Sequence, residues 1–260
     1  MSISLFEAIK NVRDDEKWAL KTFLVSVFLF VYSVLVNFTE LKLEPKVTLV
    51  AVALGIATGI YVFGFIFKTV HKGIDSDDFK MPNFNEKNLM LVGLKGLGSM
   101  LLYSLIMYFI SAFAFCILGI VSALIAMFVY GLLVSALGLN QNIVLCVLII
   151  FAIILLVIIS LFVSIFVNTA QVCYYKKLRF TDILAFDTHF KIVKENYHTC
   201  WTFVGKTILY TLLCLLVFFA LAISIVGLLL IPFVYAYAYL VYCNLQVQFA
   251  KIIQIEKYLD

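Results

Sequence analysis

Charge is what this sequence has least of. Of its 260 residues only 13% are Asp, Glu, Lys or Arg, against about a quarter in a soluble domain. With 65% of the residues apolar and a mean hydropathy of +1.11, the chain cannot cover a soluble surface with polar groups. Its solvent is lipid. The six cysteines (Cys116, Cys146, Cys173, Cys200, Cys214, Cys243) contain no C-x-x-C pair, and most lie in apolar runs. They read as small core hydrophobes rather than a disulfide framework. No span interior holds an ionisable residue, which argues against a proton-coupled pump, because such residues mark proton relays. Walker loops, nucleophile elbows and dinucleotide fingerprints are missing. His71, His189 and His198 form no H-x-x-x-H pair, and the acidic run Asp75, Asp77, Asp78 lacks the spacing of a calcium loop. No cofactor and no metal are therefore expected, and no enzyme. The net charge of +4 is spread over several loops and is no nucleic-acid footprint.

What is present is four uncharged stretches: 22–39, 47–67, 96–175 and 207–250. Backbone amides in hydrocarbon must be paired within the segment, so these stretches are helical. Runs such as Val144–Val167 are apolar all round, unlike the alternating strands of a barrel. The fold class is all-α, a polytopic helical membrane protein. Spans are expected near Ala19–Phe38, Val47–Phe67, Leu91–Leu118, Ile143–Val172, Thr202–Ile223 and Leu228–Ala250. The Gly-punctuated segment Gly119–Asn142 is either a seventh span or a re-entrant or interfacial helix. Basic residues favour six, since six spans place 17 of 19 on one side and seven divide them nine against ten. Both termini are then cytoplasmic, in the cell membrane. The segment before Trp18 has a net charge of −1, unlike a cleavable signal peptide, so the first span reads as a retained anchor.

Two charged segments have helical periodicity. Ser4-x-x-Glu7 is a capping box, followed by Phe6, Ile9 and Val12 on one stripe. Ile183, Phe186, Phe190, Val193 and Tyr197 make a second stripe. Both suit amphipathic helices in the interface, their bases near anionic lipid, or helices packed on the protein's own loops. The two segments also resemble each other: Phe6-Glu7-Ala8 with Phe186-Asp187-Thr188, Val12-Arg13-Asp14-Asp15 with Val193-Lys194-Glu195-Asn196, and Trp18 with Trp201. The chain is thus expected to be a single helical membrane domain, with a parallel repeat of 1–70 and 180–255 around a central apolar segment 91–172.

Further residues carry a family likeness. Leu5-Phe6-Glu7-Ala8-Ile9-Lys10 leads to Trp18, Gly59-Ile60-Tyr61 lies in span two, and Gly73 is followed by Pro82-Asn83-Phe84. Leu89-Met90-Leu91-Val92-Gly93-Leu94 and Ala185-Phe186-Asp187 come after them. In these, over nearly its whole length, the chain resembles the multi-pass membrane proteins of domain of unknown function family 4013. Asp75-Ser76-Asp77-Asp78 lengthens the Gly-to-Pro spacing beyond the family pattern. The resemblance implies an archaeal or bacterial membrane, six spans and a shared loop motif at Gly73, Pro82, Phe84 and Gly93. It implies no activity.

Candidate functional positions are few. Gly55-x-x-x-Gly59 fits close helix packing, within the chain or between copies. Asn168 and Gln171, and Asn244 and Gln246, can bond between helices or line a path. Pro232 interrupts the last span, as a kink or at a broken-helix site. The expected role is a non-enzymatic scaffold or accessory subunit, its partners the bilayer and other membrane proteins. The alternative is a carrier or channel for a lipid or weakly polar solute. A lipid-modifying enzyme would need Asp187, His189 and His198 to converge at the membrane surface.

Overall fold

The computed structural model describes residues 2–37, 44–76, 78–131, 134 and 140–259. Those residues form helices and connecting turns, with no strand among them. In chain order the helices are α1 (Leu5–Arg13), α2 (Trp18–Asn37), α3 (Pro45–Asp75), α4 (Leu89–Gly131), α5 (Gln141–Lys177), α6 (Phe180–Ile183), α7 (Phe186–Glu195), α8 (Tyr197–Ala222) and α9 (Ile225–Ile252). A 3-10 turn, Ile255–Tyr258, follows. Six of them, α2, α3, α4, α5, α8 and α9, are long and apolar enough to cross a membrane. The protein is an all-α polytopic helical protein.

The observed helices run past the limits that charge alone suggests. Gly119–Gly131 is no separate segment but the continuation of α4, and 132–133 and 135–139 lie outside the described residues. Helix α3 continues beyond Phe67 through Lys68 and Lys72 to Asp75. The physical reason is that a helix need not stop where lipid does. Charged residues only need water or a partner, and the backbone ladder continues through them. The turn between α8 and α9 falls at Ile223 and Ser224, just before the expected Val226–Gly227. There the Ser224 side chain caps α9 by accepting from the Gly227 amide at 2.9 Å. Pro232 sits inside the continuous α9, where its ring withholds the amide that would bond the Leu228 carbonyl.

The described residues group into two compact units, Met1–Met100 with Asn168–Asp260, and Leu101–Val167. The second holds the later part of α4 and the earlier part of α5. Its apolar side chains, Phe109, Phe113, Phe128 and Ile143 through Phe151 among them, are mostly exposed, as suits lipid-facing helices. The buried Tyr103 hydroxyl donates to the Phe166 carbonyl at 3.3 Å and ties the two helices together.

In the first unit burial is concentrated at one end. At 31 and 28 residues, α3 and α9 are about 46 and 42 Å long, against a hydrocarbon core of about 30 Å. Their surplus lengths meet at the charged end. There α9 is the hub, packed on α1, α2, α3 and α8. Leu240, Val241, Cys243, Leu245, Val247, Phe249 and Ala250 of α9 are buried. So are Val62, Phe65, Ile66 and Val70 of α3 and Val172 to Tyr175 of α5. Together with α1, the α3–α4 loop, α6, α7 and the 3-10 turn these ends form a cap.

The amphipathic helices expose more of their stripes than periodicity suggests. Helix α1 buries Ala8 and Val12 but leaves Phe6 outside. Helix α7 buries His189 and Ile192, while its Phe186 and Phe190, and Tyr197 at the start of α8, remain exposed. Each helix is held on one side by the cap and presents aromatic rings on another.

Candidate functional site

The cap's interior is polar. On α9, Asn244 and Gln246 are buried within two turns of Lys251, so these amides lie toward the charged end. The Gln246 Nε2 donates to Gln171 Oε1 at 2.9 Å and to the Tyr242 hydroxyl at 3.2 Å. That hydroxyl in turn donates to Asn168 Oδ1 at 2.7 Å. One turn beyond Asn244, Gln248 takes the Ser4 amide at 2.8 Å and donates to the Ser4 carbonyl at 3.1 Å and to Asn244 Oδ1 at 3.0 Å. The first network joins α5 to α9, and the second pins the start of α1. Because these groups bond one another and the backbone, their burial is offset rather than left as a penalty.

The α3–α4 loop is fastened by an ion pair. Asp15 is buried and Lys21 partly so, with Lys21 Nζ 2.9 Å from both Asp15 oxygens. Asp15 Oδ2 also takes the Met81 amide at 3.0 Å, and Lys21 donates to the Met81 carbonyl at 2.8 Å. One residue of the loop is thus gripped by both of its peptide groups.

Next to it, the buried Pro82 leads to Phe84, whose ring stacks on Phe65 at 4.4 Å and on Phe28 at 5.7 Å. Tyr61 donates its hydroxyl to the Phe84 carbonyl. Beneath the loop α3 and α4 cross backbone to backbone. A methyl group added at Gly64 would overlap the Leu89 carbonyl, and one at Gly93 would overlap the Ile60 carbonyl. Only glycine permits that approach. Gly73 sits against Val247 of α9 and Phe79 of the loop, where an added Cβ would come within 2.7 and 3.2 Å. Gly55 and Gly59 are buried on α3, and Gly59 faces the Tyr32 ring of α2.

Between the link preceding α2, the end of α3 and this loop lies an open groove of about 720 Å³. Its rim is charged: Lys17, Lys72 and Lys80 against Asp14, Glu16 and Asp78. Glu86 closes one side, bonded by Lys72 and lying 2.8 Å from Lys68. Burial pushes its carboxyl up, but the two lysines and the Asn83 amide outweigh this and hold it at about 2. Across the cap, Lys176 bridges Asp75 and Glu256. Tyr258 donates to Glu195 at 2.7 Å, which holds that carboxyl below its ordinary range.

Of the loop motif, Phe84 and Gly93 pack on the second half of α3, the buried Pro82 leads into Phe84, and Gly73 lies near the end of α3 against Val247 and Phe79. The family model described as a protein of unknown function, DUF4013, matches residues 47–231. The chain belongs to this family. No curated protein and no solved structure matches the chain. The DUF4013 match covers the Gly64–Gly93 crossing, the Phe65–Phe84 stack and the α3–α4 wall of the groove. It leaves out α1, Asp15, Lys21 and the amide end of α9.

Asp187 and His198 are exposed, whereas His189 is buried with Nε2 3.0 Å from the Asp182 carbonyl, so the three do not share a surface. Asp75 is engaged by His71 and Lys176, and Asp77 lies outside the described residues. Sequence reasoning missed Gly64 and the Asp15–Lys21 clamp. Gly64 follows Gly59 on one apolar helix, which was a usable signal. The clamp joins residues 66 apart in sequence and had none.

Proposed function

We propose that this DUF4013 chain is a non-enzymatic accessory subunit or scaffold of a prokaryotic cell membrane, with both termini and the charged cap on the cytoplasmic side. The observation that carries this reading is the groove, an open, charge-lined volume of about 720 Å³ suited to a polar protein partner. The loop that shapes it is clamped at Met81 and stacked at Phe84. The mutual bonding of Asn168, Gln171, Tyr242 and Gln246 supports packing over a solute path. The positive-inside bias supports the orientation.

The reading is tested by reversing charge on the groove rim. Lys17→Glu with Lys80→Glu, both exposed, should release a partner that copurifies with the wild type at fixed stoichiometry from native membranes in gentle detergent. Yield and melting temperature should not change. A wild type that purifies alone, or a partner that stays with the variant, overturns it. Orientation is checked separately with a single cysteine at Lys191 in a Cys-free background. An impermeant thiol reagent should label it only after lysis, and labelling in intact cells places the cap outside.

A further inference from the structure

A second, smaller groove of about 240 Å³ lies between α1 and the start of α2, lined by Phe6, Ile9, Lys10, Arg13, Asp14 and Trp18. Its walls are fixed. The Tyr237 hydroxyl of α9 donates to the Ile9 carbonyl at 3.3 Å, and Trp18 meets the Tyr237 ring edge-on at 5.7 Å. Ala8 and Val12, fully buried, root the far face of α1. Lys10 and Arg13, three residues apart and both exposed, therefore project together on the open side.

The depth of this groove follows from α2. Its 20 residues span about 30 Å, one hydrocarbon thickness, and begin at Trp18. Asp14, Asp15, Glu16 and Lys17 precede that tryptophan, and after it only Lys21, tied to Asp15, carries charge within α2. The groove thus sits at the lipid–water boundary, where tryptophan is favoured. Phe6 is 76% exposed, an apolar ring beside two cations. That is the complement of a molecule with an anionic head and an apolar tail.

We propose that this groove holds an anionic glycerophospholipid of the surrounding leaflet, its phosphate hydrogen-bonded by Lys10 and Arg13 and its glycerol end and chains against Phe6, Ile9 and Trp18. Charge complementarity selects the class. Two cations outweigh Asp14, and a zwitterionic lipid brings its own cation to compete for the phosphate. A basic side chain at an anionic surface contributes roughly a fivefold preference. Two of them opposed by Asp14 leave one net positive charge, about fivefold for the anionic lipid. The assignment rests on the membrane placement proposed above.

The test uses Trp201→Phe, which leaves Trp18 as the chain's only tryptophan. The protein is reconstituted into phosphatidylcholine vesicles containing an equal minor fraction of brominated phosphatidylglycerol or brominated phosphatidylcholine, the bromines close to the glycerol. As that fraction is raised, the brominated phosphatidylglycerol should quench Trp18 at about a fifth of the concentration that brominated phosphatidylcholine requires. Lys10→Ala with Arg13→Ala should abolish that difference without changing elution or melting temperature. Equal quenching in the wild type, or an undiminished difference in the double variant, overturns the site while leaving the membrane placement standing. No quenching by either lipid overturns both. Inorganic phosphate removing the difference at equimolar concentration would make the site one for a free anion and overturn the lipid.

Discussion

Along α9, Ile225 and Leu229 are 82% and 78% exposed, whereas Leu240, Leu245 and Phe249 are buried. Along α3, Leu49, Val50 and Leu54 are exposed, and Phe65, Ile66 and Val70 are not. The side chains at the two ends of each helix are chemically alike; their surroundings are not. At one end they face lipid, which is as apolar as they are and supplies no hydrophobic drive for helix association. There contact depends on small residues such as Gly59 against Tyr32. At the other end the helices outrun the bilayer, and burying them against one another removes apolar area from water as in a soluble core. The cap is thus organised like a small globular core on a membrane base.

The largest expected effect breaks the cap from inside. Gly93→Val drives a branched side chain into the Ile60 carbonyl and should cost about 3 kcal/mol or more. Gly98→Val, five residues on with open space at its Cβ, should change stability by less than about 0.5 kcal/mol. Thermal unfolding in detergent, followed by size-exclusion chromatography, checks both. Equal losses would mean that α3 and α4 do not touch at Gly64 and Gly93.

A somewhat smaller effect removes half of the clamp. Lys21→Met leaves Asp15 charged and buried and should cost about 3 kcal/mol. Adding Asp15→Leu should recover part of that loss, because the stranded charge goes with it. A double variant worse than Lys21→Met alone would mean that Asp15 acts chiefly through the Met81 amide.

The smallest effect lies at the groove rim and depends on pH. The folded Glu86 carboxyl, at about 2, lies below its ordinary 4.5. Its contribution is complete above pH 4.5 and is lost as pH falls from there toward 2. The wild-type melting temperature should drop more steeply across that window than that of Glu86→Gln, and parallel slopes would refute the lysine pairing.

Six spans and their helical character were legible because lipid imposes a requirement on composition alone: no charge over about 20 residues. Helix ends were not, since nothing in Lys68 or Lys72 tells a helix to stop. The glycines of the loop motif were legible as residues but not as a crossing, which needed Gly64 as well. The stripes on α1 and α7 misled in one respect. Periodicity finds the apolar residues of a helix, and it cannot tell a ring buried by protein from one turned toward lipid. Phe6 and Phe190 both lie on their helices' stripes and are both exposed. The Asp15 clamp and the amide networks were beyond reach, because each joins segments brought together only by the fold.

The placement of the hub in the chain has a consequence for biosynthesis. Helix α9 follows α1, α2, α3 and α8, on all of which it packs. At 5–20 residues per second, roughly 9–35 s separate the emergence of Phe65 from that of Leu240. Throughout that interval the inner faces of α1 and the end of α3 stand open to water beside the translocon. The cap closes in a late step, and a ribosome stalled before α9 leaves every earlier element inserted but unroofed, a ready substrate for the membrane's proteases.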